Sequence, residues 1–94
     1  MDAKSSVKEG KRLGILGIFV EDLEQAEKVN AVLHEYRDIV VARMGIPYKE
    51  RNLSVMSLIL DGESDEVNAM TGKLGRIPNV SVRTMLAKNR DGAE

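Results

Sequence analysis

Residues 12–20 read Arg-Leu-Gly-Ile-Leu-Gly-Ile-Phe-Val, a short apolar stretch with two glycines. A continuous apolar run of this length, rich in isoleucine, is typical of a β-strand. Side chains alternate along a strand, so the apolar residues fall on two faces: Leu13, Ile15 and Phe19 on one, and Leu16, Ile18 and Val20 on the other. The stretch therefore predicts a strand that needs apolar cover on both sides.

The segments that follow alternate between helical and strand periodicity. They predict a helix at 22–37, strands at 38–44 and 53–60 with a loop at 45–52 between them, a helix from Ser64 to about Gly75, and a strand at 79–86. The order βαββαβ is that of the ferredoxin-like fold. We therefore expect an α+β two-layer sandwich in which both helices cover one face of a four-stranded antiparallel sheet. This single domain is predicted to span 11–87, with flexible polar tails at 1–10 and 88–94.

The predicted sheet is apolar on both faces, and two helices can cover only one of them. In the third strand one face carries Val55 and Ile59, and the other carries Met56, Leu58 and Leu60. In the second strand one face carries Ile39 and Val41, and the other carries Val40, Ala42 and Met44. Soluble monomers rarely expose apolar patches larger than several hundred Å². We therefore expect a homo-oligomer, a dimer or a tetramer, built through the sheet. The alternative is that these apolar side chains are exposed as isolated residues and do not form one patch.

The composition excludes several kinds of site. The chain has 94 residues, no cysteine, one histidine and a net charge of −1. Without cysteine it forms no disulfide, thiolate zinc site, cysteine nucleophile or cysteine-held iron–sulfur cluster. The longest mainly apolar run, 13–20, is shorter than the roughly 20 residues that a transmembrane helix needs. Because the first residues are also unlike a signal peptide, we expect a cytoplasmic protein that does not bind membranes.

No catalytic constellation is recognisable from spacing, such as a Ser-His-Asp order or a glycine-rich phosphate loop. We therefore expect a protein that is not an enzyme and has no cofactor. His34 is predicted to lie on the polar side of the first helix. A metal site there needs two or three more ligands, which could only be carboxylates or symmetry mates, so we expect a solvated histidine and no metal.

The segment 43–51, Arg-Met-Gly-Ile-Pro-Tyr-Lys-Glu-Arg, is the most informative candidate for binding. It carries two arginines, a lysine and a tyrosine, which suit a carboxylate or a phosphate, and loops on rigid scaffolds often bind ligands. Arg43, Tyr48 and Arg51 are therefore the candidate ligand-binding residues. The alternative is an ordered connection in which Tyr48 packs on the edge of the sheet.

Charge is unevenly distributed along the chain. Residues 67–90 contain five basic residues and no acidic one, whereas 21–38 contain six acidic and two basic residues. The basic end could contact an anion or nucleic acid, or the two ends could orient subunits or aid solubility. Since nucleic-acid modules usually stack bases on aromatic side chains and this chain has only three, direct DNA contact is not expected.

Several short runs together resemble the iron-only hydrogenase system regulator family. They are Glu27-x-Val-Asn30, Leu33-His-Glu-Tyr36, Arg43-Met-Gly-Ile-Pro-Tyr48, Ser54-Val-x-Ser-Leu-Ile-Leu-Asp61, Thr71-Gly-Lys-Leu-Gly75 and Ile77-Pro-x-Val80. The resemblance covers about residues 11–86. It implies a small bacterial protein with a ferredoxin-like fold, linked to the genes that build the iron-only hydrogenase and acting as a regulator.

The fold is also similar to ACT domains and to the C-terminal domain of the nickel-responsive repressor, which oligomerise and sense small ligands. The region that matches the repressor's nickel ligands, 54–61, contains no histidine or cysteine, so nickel sensing does not carry over. The resemblance implies an oligomeric regulatory domain, and the composition of 43–51 adds that this domain binds a small anionic ligand or a protein of the hydrogenase system. The alternatives are a protein–protein adaptor in hydrogenase assembly and a transcriptional regulator that contacts DNA.

Overall fold

The computed structural model describes residues 10–88, so the predictions for 1–9 and 89–94 lie outside the described residues. The helices and strands are β1 (Lys11–Val20), α1 (Ala26–Glu35), β2 (Val40–Tyr48), β3 (Leu53–Glu63), α2 (Ser64–Gly75) and β4 (Val80–Leu86). Short 3₁₀ turns lie at Leu23–Gln25, Arg37–Ile39 and Lys49–Arg51. The order βαββαβ confirms the predicted α+β, ferredoxin-like fold.

The four strands form one antiparallel sheet in the order β2-β3-β1-β4. Strands β1 and β3 occupy its centre and pair continuously from Lys11 opposite Glu63 to Val20 opposite Ser54. Each helix joins two parallel strands that flank a third strand. As a result β2 and β4 are the edges of the sheet, and one long side of β2 has no strand partner among the described residues.

The core lies between the sheet and the two helices. The sheet contributes Leu16, Ile18, Val20, Met56, Leu58 and Leu60, and the helices contribute Val29, Leu33, Val67, Met70 and Leu74, each at most 9% exposed. These residues recur at alternate positions of the strands and at helical spacing in α1 and α2. The predicted division of β1 and β3 into two faces is therefore confirmed.

Strand β2 is longer than the sequence predicts and includes much of the segment interpreted as a loop. It continues to pair with β3 as far as Tyr48, which lies opposite Leu53. Gly45 and Pro47 are the residues of this segment that favour a loop over a strand. Because β2 is an edge strand, it tolerates a proline on the side that makes no ladder hydrogen bonds.

A register shift between Val40 and Ala42 places a β-bulge at Val41. Val40 lies opposite Leu60 on the helix-covered face, whereas Ala42 lies on the other face. The prediction that Val40 shares a face with Ala42 is therefore wrong. The predicted pairing of Ile39 with Val41 is wrong too, because Ile39 is buried and Val41 is 62% exposed. A bulge adds one residue to the strand and so changes the alternation on either side of it.

Side chains cap α2 and the 3₁₀ turn that precedes α1. The Oδ1 atom of Asp22 accepts a hydrogen bond from the Glu24 backbone N–H at 3.0 Å, which fixes the 3₁₀ turn that leads into α1. At α2 the backbone N–H of Glu63 donates to Glu66 Oε1 at 3.1 Å. The N-cap of α2 is therefore Glu63, and the helix itself begins at Ser64.

Gly62 is required by a close approach between β3 and the turn before β2. A Cβ atom on Gly62 would lie 3.0–3.2 Å from three carbon atoms of Ile39, closer than carbon atoms normally pack. Ile39 is itself buried, so it has little room to move away. Gly45 offers a matched contrast in the same sheet, because a Cβ there would meet Met56 Cγ at an ordinary 3.6 Å.

We predict that Gly62→Ala lowers the free energy of unfolding by about 1–3 kcal/mol, the usual cost of overpacking a core. Gly45→Ala should leave it within about 1 kcal/mol of the original chain, because the new methyl group has space. Urea unfolding followed by circular dichroism measures both. Equal stability of Gly62→Ala and the original chain would show that Ile39 relaxes freely and would contradict the prediction.

The Asp22 cap also predicts a pH dependence. Hydrogen bonds from the Glu24 backbone N–H and from the Gln25 side chain hold the pKa of Asp22 below its usual value. The carboxylate therefore stabilises the fold above its unfolded pKa of about 4, and this contribution is lost as pH falls through the lower folded pKa. In Asp22→Asn the cap no longer titrates. Melting temperatures measured from pH 2 to 6 should converge at the acidic end, and parallel curves would contradict this.

Candidate functional site

The face of the sheet away from the helices carries a row of large apolar side chains, which we call the open face. Its members are Leu13, Ile15, Phe19, Met44, Ile46, Tyr48, Ile59 and Met85, each between 43% and 65% exposed. Their positions follow from the register, since Ile15 lies between Ile59 of β3 and Met85 of β4. The sequence predicts this apolar second face, and its exposed apolar side chains come from all four strands.

The middle of the open face contains a hollow. Gly17 lies there between Ser57 of β3 and Arg83 of β4. No heavy atom lies within 4 Å of the position that a Cβ of Gly17 would take. Near one end, Leu13, Ile15, Ile59 and Met85 help to line a shallow cavity of about 360 Å³. The open face is therefore uneven, with apolar side chains that project on both sides of a glycine.

Tyr48 and Arg51 lie at the other end of the open face. They line a cavity of about 360 Å³ together with apolar residues of β1 and β3 and with Glu21. Tyr48 projects from β2 and is 46% exposed. The carboxylate of Glu21 makes this cavity less suited to an anion than Arg51 and Tyr48 alone suggest, since like charges repel.

Arg43 lies on the opposite side of the sheet. It is five residues before Tyr48 on the same strand, and an odd separation places two side chains on opposite faces. Its Nη2 atom donates a hydrogen bond to Asn30 Oδ1 of α1 at 3.2 Å. Arg43 therefore lines two cavities that include neither Tyr48 nor Arg51. A ligand role for each of the three stays a prediction.

Arg43 instead borders a groove between α1 and the edge strand β2, which we call the α1–β2 groove. It consists of two cavities of about 210 and 470 Å³, and both are lined by Asn30 and Arg43. His34 and Arg37 complete the polar rim of the larger cavity. Sequence reasoning missed this grouping, although the signal was available. Positions 30, 34 and 37 have the spacing that places residues on one side of a helix.

The predicted basic end does not form one surface in the described part of the chain. The Nζ atom of Lys73 lies 2.6 Å from Glu35 Oε2 and 5.3 Å from the centre of the Tyr36 ring. The hydrogen bond to Glu35 raises the pKa of Lys73, and Tyr36 adds to the effect. Arg83 belongs to the open face instead, next to Gly17. Lys73 therefore joins the two helices, and its charge is already balanced.

Within residues 10–88, no group of three histidine, aspartate or glutamate side chains is placed to hold a metal ion. His34 is exposed and lies on the rim of the α1–β2 groove. In the same part of the chain, neither helix is long and apolar enough to cross a membrane.

The fold has close counterparts among solved structures. The protein TM1266 from Thermotoga maritima is 40% identical, with a TM-score of 0.79 over 83% of this chain and 99% of that chain. The C-terminal domain of the MgtC protein from Mycobacterium tuberculosis is 11% identical, with a TM-score of 0.65 over 87% of this chain and 94% of that chain. A formyltetrahydrofolate deformylase from Pseudomonas putida KT2440 is 12% identical, with a TM-score of 0.59 over 83% of this chain and 29% of that chain. At these low identities the last two show the fold alone.

No curated protein sequence matches the chain. The family model described as the TM1266-like iron-only hydrogenase system regulator matches residues 12–84, which is most of the domain. The Thermotoga maritima structure agrees with it in both sequence and fold. The chain therefore belongs to the TM1266-like family of iron-only hydrogenase system regulators.

Proposed function

We propose that this chain is a non-enzymatic, cytoplasmic regulator of the iron-only hydrogenase system that works as a homo-oligomer paired through its open face. Membership of the regulator family supports the role in that system. The observation that carries the assembly is the open face itself, on which eight large apolar side chains are 43–65% exposed. In this proposal the regulator responds to a small anion or to a protein of the hydrogenase system.

The size of the open face supports pairing with a second copy. Four strands spaced about 4.8 Å apart and about 30 Å long present about 600 Å² per copy. Two copies packed face to face would then bury about 1,200 Å² in total, which reaches the range of specific protein interfaces. Left bare, the same surface would be as large as the largest apolar patches found on soluble monomers.

The shape of the open face also favours a second copy over an unrelated partner. In a two-fold assembly each subunit presents the same surface to the other, so a surface with both a hollow and projecting side chains can fit itself. The hollow at Gly17 and the projecting, flexible Met85 are two such features. Arg83, beside the hollow, would lie at the interface and needs a polar partner there.

The adaptor function remains the alternative, because an unrelated protein of the hydrogenase system could also cover an apolar face. A transcriptional regulator that contacts DNA is less well supported. Lys73 is paired with Glu35, and Arg83 lies on the open face, so these two charges are not available on a common DNA-binding surface. The mass of the protein in solution separates the paired regulator from the adaptor.

We predict that the original chain has a mass in solution that is a multiple of 10.4 kDa, and that Ile15→Glu reduces it toward 10.4 kDa. Ile15 is 48% exposed on the open face between Ile59 and Met85, so a carboxylate there would be buried without a partner in the assembly. Size-exclusion chromatography with light scattering at micromolar concentration measures the mass.

Leu23→Glu is the matched control for this experiment. Leu23 is 51% exposed, close to the value for Ile15, but it lies in the turn before α1 rather than on the sheet. It should leave the mass unchanged. An original chain that is monomeric at micromolar concentration would overturn the paired assembly and favour the adaptor function.

The regulatory role has its own test in cells that carry an iron-only hydrogenase. Deleting the gene for this chain should change hydrogenase activity or transcript level, and the original chain should restore it. We predict that Leu23→Glu also restores the hydrogenase activity or transcript level. Ile15→Glu should not restore it, because this substitution disrupts the open face. Unchanged activity and transcript level after deletion would contradict the regulatory role, whatever the oligomeric state.

A further inference from the structure

We infer that the α1–β2 groove binds a small organic anion, whose carboxylate or phosphate contacts Arg43 and Arg37 and whose apolar part rests on the groove floor. This site lies on the helix-covered side of the sheet, away from the open face. It therefore does not depend on the subunit pairing proposed above, and either proposal can fail alone.

The charge of the groove supports an anion. Asn30 and His34 project from α1, Arg37 projects from the 3₁₀ turn that follows it, and Arg43 faces them from β2. Among residues 10–88, no aspartate or glutamate lines either cavity of the groove. The neighbouring acid Glu35 on α1 is paired with Lys73 outside the groove. A carboxylate or phosphate in the groove would therefore meet two guanidinium groups without a competing carboxylate in its lining.

Both arginines are positioned while keeping hydrogen-bond donors available. Arg43 uses Nη2 to reach Asn30 Oδ1, and Arg37 uses Nη1 to reach the His34 backbone carbonyl at 2.8 Å. Within the described part of the chain, neither forms an ion pair. A guanidinium has five N–H donors in a planar fork, so each can bind an anion without losing its present contact.

The floor of the groove supports an apolar portion of the ligand. Its base is formed by Val29 and Leu33 of α1 and by Met56 and Leu58 of β3, which are at most 9% exposed. Most of the apolar surface that a ligand could reach therefore belongs to Val40 and Pro47 of β2. The larger cavity has about 470 Å³ of space, within the range of about 300–1,000 Å³ that is typical of small-molecule pockets. Apolar lining with a few convergent polar groups is the usual composition of such pockets.

The test uses the full chain labelled with ¹⁵N and two probes, hexanoate and hexyl phosphate. Hexanol lacks the charge, and acetate lacks most of the apolar part. We expect saturable amide shifts at Asn30, His34, Arg43 and Leu58 with hexanoate or hexyl phosphate. The controls should bind at least about tenfold more weakly, because each loses one of the two interactions. The probe that binds more tightly identifies the head group that the site prefers.

Arginine variants locate the site. Arg43→Gln keeps a polar side chain but removes the charge, and it should weaken binding about tenfold. Arg76→Gln is the matched control and should leave binding unchanged, because Arg76 is an exposed arginine at the end of α2 that lines neither cavity of the groove. Arg51→Gln tests separately whether the Tyr48 cavity holds the anion. Circular dichroism confirms that all three variants fold.

Four results would overturn the inference. They are the absence of saturable binding, equal binding of hexanol, shifts confined to Ile15, Ile59 and Met85 of the open face, and loss of binding in Arg51→Gln but not in Arg43→Gln. The last result would place the anion in the Tyr48 cavity instead. Light scattering of the same samples reports separately whether the subunits remain paired.

Discussion

The structure depends on a mismatch between a sheet that is apolar on both faces and a pair of helices that can cover only one. The core on the covered side is well formed, with Leu16, Leu58, Leu60, Met70 and Leu74 fully buried. That core fixes the register of β1 and β3, because a slip by one residue would turn every buried side chain outward. The same register fixes the row of exposed apolar side chains on the opposite face. The open face is thus a direct product of the pairing that makes the core.

The regular parts of this fold could be predicted from the sequence, and the irregular parts could not. Alternation in β1 and β3 is unbroken, so both faces were correctly divided. In β2 the extra residue at Val41 changes the alternation, and periodicity does not reveal a bulge. The same irregular strand affects the candidate site. Arg43 and Tyr48 are neighbours in sequence, yet they face opposite sides of the sheet. In a loop the two side chains could lie together, because side chains in a loop do not alternate between two faces.

Strand β2 is the element that the two candidate surfaces share. Its even-numbered residues from Met44 to Tyr48 belong to the open face, and Arg43 belongs to the groove beside α1. A ligand that fixes Arg43 would act on the same strand whose other side would pack against a second subunit. Ligand binding in the groove and subunit pairing through the open face would then both act on the conformation of β2. A shared element of this kind is what couples binding at one site to assembly at another.

The bulge at Val41 has a consequence for how the length of this strand can vary. Beyond the bulge, each side chain of β2 faces the side that its distance from Val41 dictates, up to the turn at Lys49–Arg51. Removing Gly45 would exchange the two sides for the rest of the strand and turn Ile46 and Tyr48 away from the open face. Removing Val41 itself would instead restore regular alternation and leave Arg43 and Met44 on their present sides. Beyond the bulge, insertions and deletions in this strand should therefore be counted in twos.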